Sequence, residues 1–280
     1  MNSSELKALV SLLDDSDNEV SAHVENQIRA LGDDIIPFLE KQWEESGFDP
    51  ILQKKIEELI HDLQYNNLLS KLKKWKKDGA QDLLEGLWLI ATYQYPELSL
   101  DNLKQEINKI YFEVWLQMRD ETHPEDNIRI LNQVFFDKYK FSPNTKNFHS
   151  PSNSMVNQVL ELKRGNPISL CSIYLLVAQK LNLPVFGVNL PSLFILTYES
   201  KSTQFYINVF NKGLIFSKKD IDSYLKQMNI APQPMFYEPC SNLEIIKRTL
   251  VNLVVSFTKN SDNQKSKEVN ILLDGLKEEE

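Results

Sequence analysis

The sequence predicts an α+β fold that is mostly helical, and three observations lead to this prediction. Only 8 of the 280 residues are glycine, which favours helices over tight turns. Apolar residues recur at helical spacing through residues 1–140. Strand-like apolar runs then follow one another at hairpin spacing between residues 185 and 216. A helical region followed by a run of strands is typical of the α+β class.

The first region, residues 1–140, is predicted to be a helical domain. Asp17 is placed to cap a helix that Gly32 ends, and further apolar stripes follow up to Leu63. Residues 5–43 resemble a HEAT-type repeat, with a D-x-D-x-x-V turn and a G-x-x-x-x-P step. Because a second clear copy is missing, we do not predict a long solenoid.

A basic run at residues 68–77 has two interpretations. Its lysines could bind nucleic acid, or they could form a solvated helix face while Leu72 and Trp75 point inward. We favour the solvated face, since the run is short and the formal net charge of the chain is −8. The next segments predict a buried helix near residues 83–93, a long helix opened by Ser99 and a helix starting at Pro124.

After a loop rich in Pro, Ser and Asn at residues 141–153, the pattern changes from helices to strands. We predict a small antiparallel sheet packed on a buried helix in a core domain of residues 141–260, with residues 261–280 as a charged C-terminal tail. The predicted strands are Val185–Asn189, Phe194–Tyr198, Gln204–Val209 and Leu214–Phe216. The helices that follow are predicted at Lys218–Met228 and Leu243–Thr258.

The helix that begins after Asn166 carries the most informative pattern. Asn166 is a good N-cap, and Pro167 suits the first helical position because it needs no amide hydrogen there. The helix body is apolar on almost every side, which predicts a core helix. A cysteine at such a helix start would be activated as a thiolate, with a histidine on a neighbouring strand as base and a carboxylate to orient it.

The residues around this helix resemble the transglutaminase-like core of SirB-type proteins. The stretch from residue 153 reads NSMVNQVLELKRGNPISLCSIYLLVAQKLNLPVFGVNLPSLFIL. It is similar to the family patterns N-S-x-L-N-x-V-L, R-G-x-P-I-S-L and G-V-x-x-P-x-H-F, and the later stretch NVFNKG is similar to the D-x-F-N-x-G turn of the family. The resemblance implies a papain-like core, with nucleophile, histidine and aspartate at the positions of Pro167, Leu193 and Asn208. None of these three side chains can perform its role, so we expect no catalytic residue in this degenerate triad.

A displaced nucleophile is the alternative. Cys171 lies one helical turn beyond Pro167, and His149 in the preceding loop is the one histidine expected to approach it. Burial in an apolar helix would leave this thiol inert, and a solvated loop is the simpler setting for the histidine. We predict that the former active-site groove would be lined by Arg164, Asn166, Ser169 and Asn211. For Arg164 we favour an exposed charge or a partner of a loop carbonyl over this role, and Asn211 most simply supplies a turn.

These patterns favour a non-catalytic module that binds a protein or peptide, and we lean towards a pseudoenzyme. The alternative is a cysteine hydrolase, acyltransferase or protease-like enzyme that uses Cys171, which thiol reactivity would distinguish. Two cysteines, no metal-ligand spacing and no phosphate loop predict no cofactor and no metal. The acidic balance disfavours nucleic acid and membrane partners. We see no signal peptide or apolar run of about 20 residues, so we expect a bacterial cytoplasmic protein. The oligomeric state stays open.

Overall fold

The computed structural model describes residues 3–47, 49–119 and 123–277. The chain divides into two compact units, Met1–Lys71 and Leu72–Glu280. This division lies well before the boundary predicted after residue 140. The reason is that the helices between residues 83 and 132 pack on elements of the sheet-containing unit.

The first unit is helical and has its own apolar core. It contains α1 (Ser3–Val10), α2 (Asn18–Ala30), α3 (Ile36–Glu45) and most of α4 (Pro50–Lys77). The Asp17 side chain accepts a hydrogen bond from the Glu19 amide and caps α2, as predicted. The core consists of Val10, Leu13, Val24, Ile28, Ile35, Leu39, Ile56, Leu59 and Leu63.

Helix α4 is longer than the sequence predicted. The stripe ending at Leu63 and the basic run at residues 68–77 form one helix, because no glycine or proline interrupts the residues between them. Leu72 and Trp75 are buried and the Trp75 indole N–H donates to the Asp82 carbonyl at 2.9 Å. The apolar residues of the basic run thus point inward, as predicted.

The second unit places its most buried helix between a sheet and a layer of helices. Its helices are α5 (Leu83–Thr92), α6 (Leu100–Trp115), α7 (Pro124–Asn132), α8 (Val156–Leu162), α9 (Pro167–Lys180), α10 (Lys218–Gln227), α11 (Asn242–Lys259) and α12 (Asn263–Asp274). Helix α9 contacts α5, α6, α8 and α11 as well as the sheet. Ten of its fourteen residues are buried, which explains its nearly continuous apolar sequence.

The predicted four-stranded antiparallel sheet is confirmed. Its strands follow chain order as β3 (Val185–Leu190), β4 (Leu193–Glu199), β5 (Gln204–Asn208) and β6 (Leu214–Phe216). Two short segments, β1 (Ser142–Pro143) and β2 (Arg164–Gly165), pair in parallel. One face of the sheet packs on α9. The other contributes Val188, Ile195 and Tyr206 to an apolar cluster that includes Ile221 and Leu225 of α10. The fold class is therefore α+β and mostly helical.

The segment predicted as a charged tail contains helix α12. This helix packs against α11 and buries Val269 and Leu272. Asp262 caps it by accepting a hydrogen bond from the Lys265 amide at 3.1 Å. Val269 and Leu272 are three residues apart, which is a helical spacing, but the many charged residues around them obscured this pattern in the sequence.

Candidate functional site

The amino end of α9 is held by a network of buried hydrogen bonds. The Asn166 carboxamide oxygen accepts from the Ser169 amide at 3.0 Å, and the Ser169 hydroxyl accepts from the Asn166 amide at 3.1 Å. This reciprocal arrangement is a capping box. The Asn166 side-chain N–H donates to the Ser154 hydroxyl at 2.8 Å, which ties the helix start to the preceding loop. Pro167 therefore sits in a rigid setting.

A cavity of about 390 Å³ opens beside this helix start. Four segments contribute to it: the loop before α8, the start of α9, the β3–β4 hairpin and one face of α11. The lining residues are Phe148, His149, Asn166, Pro167, Ile168, Ser192, Phe194, Arg248, Val251, Asn252, Val255 and Ser256. We call this cavity the α9 groove. Its volume is within the range of small-ligand sites.

The α9 groove combines apolar side chains with a single arginine. Phe148, Val251 and Val255 each remain between 41% and 47% exposed, so apolar surface faces solvent here. The Arg248 guanidinium is half-buried and donates to the Asn189 carboxamide oxygen at 3.0 Å. Burial lowers its pKa. No aspartate or glutamate lines the groove within the part of the chain that the structure describes.

The loop side of the groove is anchored to α11. The Asn260 side chain donates to the His149 carbonyl at 2.8 Å and to the Ser256 carbonyl at 2.7 Å. The ring of Phe148 packs edge-on against the ring of His149, with centroids 5.3 Å apart. The backbone position of the loop is therefore fixed, while its two aromatic side chains face the groove.

The three positions of the expected triad are not brought together in this groove. Pro167 lines it, but Leu193 starts β4 and packs with the cluster on the opposite face of the sheet. Asn208 ends β5, where its side chain accepts from the Asn211 amide at 3.1 Å and shapes the following turn. By strand alternation it shares the face of Tyr206, the face that packs on α10.

Cys171 does not form a site with His149. Its side chain is completely buried, and its thiol donates to the Phe194 carbonyl at 3.4 Å. Burial raises the pKa of this thiol, although a hydrogen bond from the Val209 amide opposes the shift. His149 lines the α9 groove whereas Cys171 does not. The structure therefore does not bring Cys171 and His149 together in one groove, and burial disfavours the thiolate form of Cys171.

Comparison with known protein families identifies the region around α9. The transglutaminase-like superfamily matches residues 101–251, which covers more than half of the chain. The chain belongs to the transglutaminase-like superfamily. This match runs from α6 into α11, so it includes α6, α8 and α9, whereas α5, which also packs on α9, precedes it.

Individual bacterial and mammalian proteins are similar to this transglutaminase-like chain. It is 27% identical over 178 residues to a UPF0162 protein of Vibrio cholerae, covering 62% of this chain and 66% of the relative. It is 31% identical over 162 residues to a UPF0162 protein of Xylella fastidiosa, covering 56% and 54%. It is also 25% identical over 228 residues to mouse F-box only protein 21, covering 70% and 36%. The chain thus spans about a third to two thirds of these relatives. No solved structure matches it.

The four residues predicted to line the groove of this transglutaminase-like domain lie in different places. Asn166 lines the α9 groove, and Ser169 is buried beneath it in the capping box. Arg164 is exposed on β2, and Asn211 is exposed in the turn after β5, so neither lines the groove.

Sequence reasoning missed the contribution of α11, above all Arg248. The helix itself was predicted, and a lone arginine within its apolar stripe was a signal that could have been noticed. Its position beside Pro167 depends on how α11 packs on α9, which no local pattern shows.

Two further observations concern metal sites and membrane-spanning helices. Among the described residues, no three His, Cys, Asp or Glu side chains are grouped as a metal site would require. Within the same part of the chain, every helix is too short or too polar to cross a bilayer.

Proposed function

We propose that this protein is a non-catalytic member of the transglutaminase-like superfamily and that its α9 groove binds a segment of a protein or peptide. One observation carries the proposal. The helix start where the resemblance places a nucleophile is intact and lines an open groove, yet it presents the ring of Pro167 instead of a thiol. The buried state of Cys171 removes the nearest replacement.

The same proposal includes inferences about the type of core, the N-terminal helices and the location of the protein in the cell. We infer a SirB-type core in which Pro167 occupies the position of the nucleophile, preceded by a HEAT-type helix pair. The capped α2, a Gly32 with φ of +72° and the shared core of α2 and α3 support that pair. We also infer a cytoplasmic protein that binds neither nucleic acid nor membranes.

Selection of peptides from a random displayed library tests the binding role. Peptides enriched on the purified chain should lose affinity by at least about tenfold when Val255, on the groove, is changed to glutamate, because a charge would then occupy apolar surface. Ile271→Glu is the matched control, since Ile271 is a half-exposed aliphatic residue on α12 outside the groove. Equal loss in both variants, or in neither, would contradict the proposal.

Thiol chemistry tests the non-catalytic part separately. Folded protein is treated with iodoacetamide at neutral pH, and the modified cysteine is identified by mass spectrometry. Slow labelling of Cys171 supports the proposal, because a buried neutral thiol is unreactive. Labelling as fast as a free thiol, together with hydrolysis of an acyl substrate that Cys171→Ser abolishes, would establish the enzyme instead.

A further inference from the structure

The charge of the α9 groove is opposite to the charge of the chain. The whole sequence carries 39 acidic and 31 basic residues, and its formal net charge is −8. The groove lining contains Arg248 and His149, but no described carboxylate. At close range an anionic group meets the local cation and no described carboxylate of the groove lining, so the groove attracts anions although the chain as a whole is acidic.

The Arg248 guanidinium uses only part of its hydrogen-bonding capacity within the described structure. Its guanidinium has five N–H donors in a planar fork, and one of them bonds the neutral Asn189 carboxamide. No carboxylate lies within 4.0 Å of it among the residues that the structure describes, and burial already lowers its pKa. Partial burial of an unpaired charge is unfavourable, and a bidentate carboxylate would both neutralise the guanidinium and fill its free donors.

The surroundings of Arg248 restrict what carries the carboxylate. Val251 and Val255 lie one and two helical turns beyond it on α11, and Phe148 faces them from the loop. These three apolar side chains are close to half exposed, so an apolar group laid over them would remove water from both surfaces. The start of the 14-residue helix α9 adds a partial positive charge on the same side.

We propose that the α9 groove binds an acidic peptide segment, in which an internal aspartate or glutamate pairs with Arg248 and a neighbouring apolar side chain covers Val251 and Val255. This inference rests on the proposed function and specifies its partner. The carboxylate is a side chain of an internal residue and not a free chain terminus. Arg248 is the residue that selects the acid, and the apolar surface supplies the remaining affinity.

The test uses a displayed library of random peptides whose carboxyl termini are covalently blocked, selected on the full chain. Enriched sequences should contain an aspartate or glutamate next to a large apolar residue. Synthetic amidated versions of the enriched peptides are then measured by fluorescence anisotropy, beside versions with Gln or Asn replacing the acid. The neutral versions should bind at least about thirtyfold more weakly, as expected for a partly buried charge pair that loses one member.

Arg248→Gln should cause the same loss for acidic peptides and leave the affinity of the neutral versions within about twofold, because glutamine keeps one donor for Asn189. Lys247→Gln is the matched control: it removes one positive charge from the adjacent residue of α11, which does not line the groove. Thermal unfolding and circular dichroism establish that both variants are folded. If Lys247→Gln weakens binding as much as Arg248→Gln, general electrostatics explains the affinity and the inference fails.

Different experimental results would overturn the binding role and the acidic partner. Peptides that lose affinity with Val255→Glu but show no acidic preference would overturn the acidic partner and leave the binding role intact. Acidic peptides that bind best through a free carboxyl terminus would also overturn the assignment to an internal side chain. If no enriched peptide depends on Val255, both proposals are overturned together.

Discussion

The substitution Asn166→Ala tests whether the start of α9 is a rigid part of the groove. Loss of an N-cap side chain costs about 1 kcal/mol. Asn166 is only 6% exposed, so the Ser169 amide and the Ser154 hydroxyl would lose a partner away from water. Unmatched buried polar groups cost about 1–3 kcal/mol. We therefore expect the free energy of unfolding to fall by about 2–4 kcal/mol.

Urea denaturation followed by far-ultraviolet circular dichroism measures this change. Asn166→Asp keeps an acceptor for the Ser169 amide and loses the donor to Ser154, so its effect should be smaller. Ser241→Ala is the matched control, because Ser241 forms the capping box of α11 but is exposed. That variant should lose about 1 kcal/mol or less. If Asn166→Ala and Ser241→Ala lose equal stability, the buried network at the start of α9 does not act as described.

Three further predictions concern positions away from the groove. Gly86→Ala should destabilise the protein by about 1–3 kcal/mol in urea denaturation despite the better helix propensity of alanine, because the added Cβ would lie 2.8 Å from the Trp75 ring; no loss would refute the close approach. Cys171 should react with iodoacetamide at least about a thousandfold more slowly than a free thiol, because exposure requires opening of a buried core; rapid modification would refute this. Burial and a hydrogen bond to Asp222 raise the pKa of Tyr237 to about 12, so stability should fall as pH rises from about 10 to 12, and Tyr237→Phe should flatten that fall in pH-dependent unfolding.

Local patterns predicted most elements of the second unit because local physics determines them. The Asn166–Pro167 pair specifies a cap and a first helical residue, and the structure starts α9 at Pro167. Alternating apolar residues specify strands, and the observed β3 and β4 begin or end within one residue of the predicted limits. Pro191 and Ser192 make the connecting turn, where Ser192 takes a left-handed φ of +59°.

The composition of the groove could not be predicted in the same way. A sequence pattern can show that α11 has an apolar face, but it cannot show that Arg248 emerges next to Pro167 after two helices pack together. Likewise, alternation along β4 puts Leu193 and Phe194 on opposite faces of the sheet, and the packing of α9 decides which face belongs to the groove. The structure gives that face to Phe194. Local registers were accessible from the sequence, but the choice between faces depended on tertiary contacts.

The groove contains one imidazole, that of His149, and two hydroxyls, those of Ser192 and Ser256. Nucleophilic catalysis would require one hydroxyl to bond the imidazole and a third group to orient the ring. Within the described residues neither hydroxyl bonds the His149 ring, and no carboxylate lines the groove to orient it. Arg248 stays protonated, so it can bind an anion but cannot act as a base. Under the proposed function, the permanent cation and the apolar walls serve recognition, and selectivity depends on the anion that Arg248 accepts.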